Sequence, residues 1–201
     1  MIRRYGFMVV MFAIAGCNTG GGSRVSAPSL SADDAAAKAI AAYDTDRDGA
    51  IGGDELKQCP ALAGAVERID KNGDKKLSAE EIAARMRLFL ETNSGITNVP
   101  CHFTIDGRPL KGAEVIFEPE AFMGSSFKPA RGTTDENGAV SLMTEGMNLE
   151  GVPYGFFRVR VSKKGADGKE TVPARYNEQT TLGQEIAPDL RGDIVIKVTS
   201  R

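Results

Sequence analysis

One stretch decides how the first half of the chain folds: Asp44-Thr45-Asp46-Arg47-Asp48-Gly49-Ala50-Ile51-Gly52-Gly53-Asp54-Glu55. Carboxylates stand at its positions 1, 3 and 5, glycine at 6, an aliphatic residue at 8 and glutamate at 12. A hard cation such as Ca²⁺ takes about six to eight oxygen ligands, and one sharply turned loop can supply them. The stretch therefore predicts a metal-binding loop. Its expected ligands are the side chains of Asp44, Asp46, Asp48 and Glu55 and the backbone carbonyl of Ala50.

A second loop of the same pattern begins 26 residues later: Asp70-Lys71-Asn72-Gly73-Asp74-Lys75-Lys76-Leu77-Ser78-Ala79-Glu80-Glu81. Lys75 replaces the glycine of position 6, where a left-handed backbone costs a residue with a Cβ roughly 1 kcal/mol. The loop also has one carboxylate fewer, and its lysines repel a cation. We therefore expect the first loop to bind the metal more tightly. The expected ligands of the second are the side chains of Asp70, Asn72, Asp74 and Glu81 and the carbonyl of Lys76.

The two loops and their flanking segments resemble the EF-hand family over residues 32–92. The resemblance implies an all-α pair of helix–loop–helix motifs that bind Ca²⁺. The alternative interpretation is an acidic, glycine-containing turn between two surface helices. Because the linker between the loops is short, we expect a compact pair in which calcium is structural, rather than a sensor that opens.

Helix signals flank both loops. Ser31 is predicted to cap a helix that runs to Tyr43, and a short helix after the first loop is expected to stop at Cys59-Pro60. Two further helices are predicted over 61–69 and 78–90. The last carries an apolar stripe, which we interpret as core rather than as a target-binding groove: Ile82, Met86, Phe89 and Leu90.

The N-terminus has the pattern of an export signal. Arg3 and Arg4 precede an apolar run that is too short to span a bilayer, and the run ends in Ile14-Ala15-Gly16-Cys17. This ending resembles the bacterial lipobox, which implies a signal peptide over 1–16, a lipidated Cys17 and a membrane anchor in the cell envelope, on its periplasmic or extracellular face. The alternatives are an ordinary secretory signal or a buried helix. Residues 17–31 are rich in glycine and serine and are expected to form a flexible tether.

The charge balance gives no support for nucleic-acid binding. The chain has 25 basic and 27 acidic residues. Removal of Arg3 and Arg4 with the signal peptide leaves 23 basic residues, so the net charge becomes −4. An electrostatic footprint for a phosphate backbone requires an excess of basic residues.

From about residue 97 the hydrophobic pattern changes to period two. Strands are predicted over 99–105, 113–117, 139–143, 154–162 and 193–199, with turn signals between them. Many short strands favour an all-β antiparallel sandwich over 97–201, which makes the chain multidomain. Asp106-Gly107-Arg108-Pro109-Leu110, Gly112-Ala113-Glu114-Val115-Ile116-Phe117 and Val152-Pro153-Tyr154-Gly155-Phe156 resemble carboxypeptidase-regulatory-like, transthyretin-like domains. The resemblance implies a non-catalytic accessory module.

The cysteines left after Cys17 are Cys59 and Cys101. In an oxidising compartment an even pair indicates a disulfide, and the alternative is two buried free thiols. His102 is the only histidine and follows Cys101 directly, so the two side chains of a strand would point to opposite faces. We therefore expect no Cys–His catalytic pair and no enzyme.

Together these patterns predict a surface-anchored calcium-binding lipoprotein whose sandwich contacts an envelope protein or a glycan. Two alternatives remain open. One is a dockerin-like assembly module, although dockerin repeats usually lack the entering helix that this chain has. The other is an accessory subunit of a polysaccharide-acting enzyme.

Overall fold

The computed structural model describes residues 28–92 and 94–201. The predicted signal peptide over 1–16, the lipidation site Cys17 and most of the tether over 17–31 lie outside the described residues. We call 28–92 the helical unit and 94–201 the sandwich. No helix within the described ranges is long and apolar enough to cross a bilayer.

The helical unit contains α1 (Ala32–Tyr43), β1 (Ala50–Gly52), α2 (Gly53–Leu56), α3 (Pro60–Ala63), α4 (Val66–Ile69), β2 (Lys76–Ser78) and α5 (Ala79–Glu91). The Ser31 side chain accepts the Asp34 amide, which confirms the predicted cap of α1. The unit is not all-α, because β1 and β2 pair antiparallel. The single helix predicted over 61–69 is also wrong. Glycine has a low helix propensity, and the chain breaks at Gly64 into α3 and α4.

The sandwich contains β3 (Cys101–Ile105), β4 (Arg108–Pro109), β5 (Glu114–Pro119), β6 (Ala130–Thr133), β7 (Ala139–Val140), β8 (Met143–Thr144), β9 (Gly155–Ser162), β10 (Gly183–Ile186) and β11 (Ile194–Val198). One sheet has the order β10-β9-β5-β6-β8, and the other has the order β11-β3-β4 with β7 also paired to β3. Side chains of both sheets share one buried cluster, which includes Phe103, Phe117, Val159 and Ile196.

Two features of the sheets differ from the predicted antiparallel arrangement. β11 runs parallel to β3, because the chain crosses from the first sheet to the second before β11 begins. The single strand predicted over 139–143 is divided between the sheets, since β7 pairs with β3 and β8 pairs with β6. Strand pairing depends on which elements meet in the folded chain, and local alternation does not encode it.

A second buried cluster joins the helical unit to the sandwich. It contains the apolar faces of α1 and α5 together with Phe122, Phe127 and Phe156 from the sandwich. The ring of Phe156 lies 5.5 Å from that of Phe89 on α5 and 6.0 Å from that of Phe122, measured between centroids. The two units therefore share a core across the boundary that the sequence pattern placed near residue 97.

The disulfide predicted between Cys59 and Cys101 is not formed. Both are buried free thiols. Cys59 belongs to the cluster that joins the two units, whereas Cys101 belongs to the cluster between the two sheets. Burial raises the pKa of the Cys101 thiol to about 12 and also raises that of Cys59. The pairing predicted for the two cysteines that follow Cys17 was wrong because each thiol is packed in a different core.

Candidate metal centre

The first loop brings three carboxylates together. Asp44, Asp46 and Asp48 each offer an oxygen, and these oxygens lie within 4.8 Å of one another. Asp44 caps the C-terminus of α1, and the other two follow on an exposed turn. Carboxylate oxygens at this spacing are the donors that a hard divalent cation takes. The acidic triad could therefore hold a metal ion.

Backbone amides of the loop fix the orientation of Asp44. Its Oδ1 accepts the Asp48 amide at 3.2 Å, and its Oδ2 accepts the Gly49 amide at 3.0 Å. Gly49 has a φ of 92°, a left-handed conformation that glycine adopts without a steric penalty. Asp48 in turn accepts the Ala50 amide at 3.0 Å, so the carboxylates turn inward along one continuous bend.

Glu55 lies beside the triad and is bound by the backbone of the same loop. Its Oε2 accepts the Gly52 amide at 3.0 Å, and its Oε1 accepts the Thr45 amide at 2.6 Å and the Asp46 amide at 3.2 Å. Hydrogen bonds from Gly52 and then Thr45 lower the pKa of Glu55 to about 2. The carboxylate is therefore ionised at neutral pH, and it lies outside the acidic triad.

The second loop repeats this bonding pattern position by position. Asp70 Oδ2 accepts the Lys75 amide at 2.8 Å, as Asp44 accepts Gly49. Glu81 accepts the amides of Lys71 at 2.9 Å and Ser78 at 3.0 Å, as Glu55 accepts those of Thr45 and Gly52. The repetition indicates that both loops are built by the same local interactions.

The second loop differs from the first in its acidic side chains and in the residues that take a left-handed backbone. Asn72 stands where the first loop has Asp46, and its amide nitrogen donates to Asp74 Oδ2 at 3.0 Å. Within the described ranges, a triad of acidic side chains therefore forms in the first loop and not in the second.

Lys75 has a φ of 65° where the first loop has Gly49, the strained conformation that the missing glycine predicts. Arg47, however, has a φ of 63° where the second loop has Gly73. Each loop thus holds one residue other than glycine in the left-handed conformation, and the predicted backbone strain does not distinguish them.

The two loops lie back to back through β1 and β2. Ile51 pairs with Leu77, and both side chains are fully buried. The predicted carbonyl ligands come from Ala50 and Lys76, the first residues of the two strands. The two predicted carbonyl ligands therefore belong to one two-stranded antiparallel ladder.

One contact at this centre was not predicted. The Lys76 ammonium reaches out of the second loop and pairs with Asp48 of the first. The aliphatic part of Lys76 lies across Gly52, where a Cβ would come within 2.7 Å of the lysine Cγ. The hydrogen bond from Lys76 lowers the pKa of Asp48. A metal ion in the first loop would have to compete with this ammonium for the Asp48 carboxylate. The only signal of this contact in the sequence is Gly52, because a side chain at that position would collide with Lys76.

Comparisons with known proteins add little to this geometry. No family model matches the chain, and no curated protein matches it. A crystal structure of BcpA, the major pilin subunit of Bacillus cereus, matches 51% of this chain and 28% of the pilin at 17% identity, with a TM-score of 0.29. The matched part thus spans little more than a quarter of the pilin. A likeness this weak is limited to the β-rich fold.

Proposed function

We propose that this chain is a calcium-binding protein of EF-hand type, in which the ions are structural and the sandwich is a non-catalytic accessory module. One observation carries the proposal: three carboxylate oxygens within 4.8 Å of one another, in a loop whose internal hydrogen bonds recur in its partner loop. In the first loop, the side chains of Asp44, Asp46, Asp48 and Glu55 and the Ala50 carbonyl would hold Ca²⁺. In the second, Asp70, Asn72, Asp74, Glu81 and the Lys76 carbonyl would do so.

The burial of the apolar helix faces supports a structural role for the ion. A sensor exposes an apolar groove when calcium opens its helices. In this chain Ile82 and Met86 of α5 are fully buried, and Phe89 is 4% exposed against the sandwich. Opening would separate these side chains from a core that both units share, so we infer that calcium stiffens the closed arrangement.

Calcium is expected to raise the melting temperature of the protein. At about a hundredfold excess over the dissociation constant, a ligand that binds only the folded state stabilises it by about 2.7 kcal/mol. For a chain of this size, that corresponds to a rise of roughly 5–10 °C. Differential scanning calorimetry in millimolar Ca²⁺ and in excess chelator measures the shift. Identical melting curves in the two conditions would refute the proposal.

Two variants, each with one ligand carboxylate neutralised, serve as matched controls in the same experiment. Glu55→Gln and Glu81→Gln each neutralise the last ligand of one loop without changing its size. We expect Glu55→Gln to remove more of the calcium-dependent shift, because the first loop has the additional carboxylate. The Lys76–Asp48 pair opposes this ranking. Equal losses in the two variants would show that the contact offsets the difference in ligands.

We propose further that the protein is anchored in the cell envelope through a lipidated Cys17. The support is the charged, apolar and lipobox-like pattern of the first seventeen residues. The intact mass of protein purified from the envelope tests this, with residues 1–16 expected to be absent and fatty acyl groups present. Recovery from the cytosol with the first sixteen residues attached would contradict it.

A further inference from the structure

Two buried glutamates of the sandwich point at the helical unit. Glu120 is 2% exposed and Glu185 is 1% exposed. Removing a carboxylate from water is costly unless it is paired and hydrogen-bonded. Each of these residues accepts a hydrogen bond from the helical unit and is connected, directly or through an arginine of the sandwich, to both sides of one acidic loop.

Glu120 is connected to both ends of the first loop. Its Oε2 accepts the Tyr43 hydroxyl at 3.1 Å, and Tyr43 is the residue before Asp44. The same oxygen accepts Arg158 Nε at 3.1 Å, and Arg158 Nη2 donates to the Gln58 carbonyl at 2.7 Å. Gln58 follows Glu55 by three residues. One ion pair of the sandwich, in which the carboxylate is buried and the arginine is partly exposed, thus contacts the chain where it enters and where it leaves the loop.

Glu185 is connected to both ends of the second loop. One of its oxygens accepts Arg68 Nε at 2.6 Å, and Arg68 lies two residues before Asp70. The other oxygen accepts Arg85 Nε, and Arg85 lies four residues after Glu81. Arg85 also donates two hydrogen bonds of 2.7 Å to Asp189. Glu185 thus contacts both flanks of its loop directly, whereas Glu120 reaches the far flank of its loop through Arg158.

From this correspondence we propose that Glu120 and Glu185 are positioning residues for the two metal loops, an inference that rests on the calcium-binding function proposed above. Each fixes the separation of the segments on either side of one loop, so that the ligands are held near their binding geometry before the ion arrives. Rigidifying a site in its bound conformation raises affinity because less ordering is required on binding. By linkage, calcium strengthens the contact between the helical unit and the sandwich to the same extent.

Two variants cut one connection each and leave the buried glutamates paired. Tyr43→Phe removes only the hydroxyl, so Glu120 keeps Arg158. Arg68→Gln removes the charge of a side chain that is 36% exposed. Glu185 then keeps Arg85 as its charged partner. Tyr43→Phe is expected to weaken calcium binding by the first loop about three- to tenfold, the range that corresponds to the loss of one hydrogen bond of ordinary strength. Arg68→Gln is expected to weaken the second loop by a similar factor, and Arg68→Lys to restore part of the loss.

The measurement is calcium affinity of the full chain by chelator competition, well below the melting temperature of each variant. Tyr43→Phe is tested in a Glu81→Gln background and Arg68→Gln in a Glu55→Gln background, and each is also tested in the opposite background. Glu118→Gln is the matched control, because Glu118 pairs with Arg160 on the neighbouring strand as Glu120 pairs with Arg158.

The outcomes separate this inference from the proposed function. If the unsubstituted protein binds no calcium, the proposed function fails and the inference fails with it. If that protein binds calcium and both variants keep its affinity, only the positioning role is overturned. Equal weakening of both loops by either variant would also overturn it, since general loosening of the fold has no preference for one loop. Loss confined to the connected loop, with Glu118→Gln unchanged, is the expected result.

Discussion

Replacing Arg85 by alanine is expected to lower the free energy of unfolding by about 3–5 kcal/mol, the cost of breaking a buried ion pair by removing one partner. Arg85 is 4% exposed and is the residue through which α5 contacts both Glu185 and Asp189. Its loss leaves Glu185 buried with Arg68 as its remaining charged partner. Urea denaturation at constant calcium concentration measures the change.

Arg87→Ala is the control for this prediction. Arg87 lies one half-turn along the same helix and pairs with Asp33 on the surface, where the two side chains are 50% and 75% exposed. Exposed ion pairs contribute about 0–1 kcal/mol, so this variant should remain within that range. Similar destabilisation by the two variants would mean that the loss of side-chain packing, rather than of the buried pair, is the cause.

Phe156→Ala is expected to produce a loss of similar size, about 3–5 kcal/mol, through the cavity that it leaves. Phe156 is fully buried, and it contacts the ring of Phe89 from α5 and that of Phe122 from the loop after β5. The cavity opens in the cluster that joins the two units, so calcium affinity should fall together with stability. Chemical denaturation and calcium titration of the same preparation test both effects.

Val195→Ala on β11 is the control for the second prediction. Val195 is 53% exposed, and substitutions at such positions usually change stability by less than about 0.5 kcal/mol. A loss below about 1 kcal/mol in Phe156→Ala would show that the surrounding side chains collapse into the cavity. In that case the contact between the units would be less important than the packing indicates.

Calcium and the sandwich are expected to act on the same equilibrium. The loops are open to solvent on one side, while the helices beside them are attached to buried groups of the sandwich. Binding of the ion and docking of the helices both require the same separation of the loop ends. If the loops bind calcium as proposed, the sheets would contribute to metal binding without an external partner.

The sequence alone was sufficient for the interior of each loop. The hydrogen bonds that orient Asp44 and Glu55 connect residues no more than 10 positions apart, so ligand spacing and turn residues are enough to predict them. The same holds for the capping of α1 by Ser31. Alternation also located most of the long strands, because side-chain direction in a strand depends only on the parity of the position.

Residues distant in sequence decided the rest. Glu185 meets Arg68 across 117 positions, and Glu120 meets Tyr43 across 77. The parallel pairing of β11, the separate burial of Cys59 and Cys101, and the approach of Lys76 to Asp48 likewise depend on how the elements pack. One local signal of this packing was present, since Phe156 and Phe157 interrupt the alternation of β9 where both faces of its sheet are covered. Local sequence determined the acidic triad of the first loop because the contacts that orient it are local. Only the tertiary structure decided what holds the loop ends, because the energy of a buried charge depends on partners that the fold supplies.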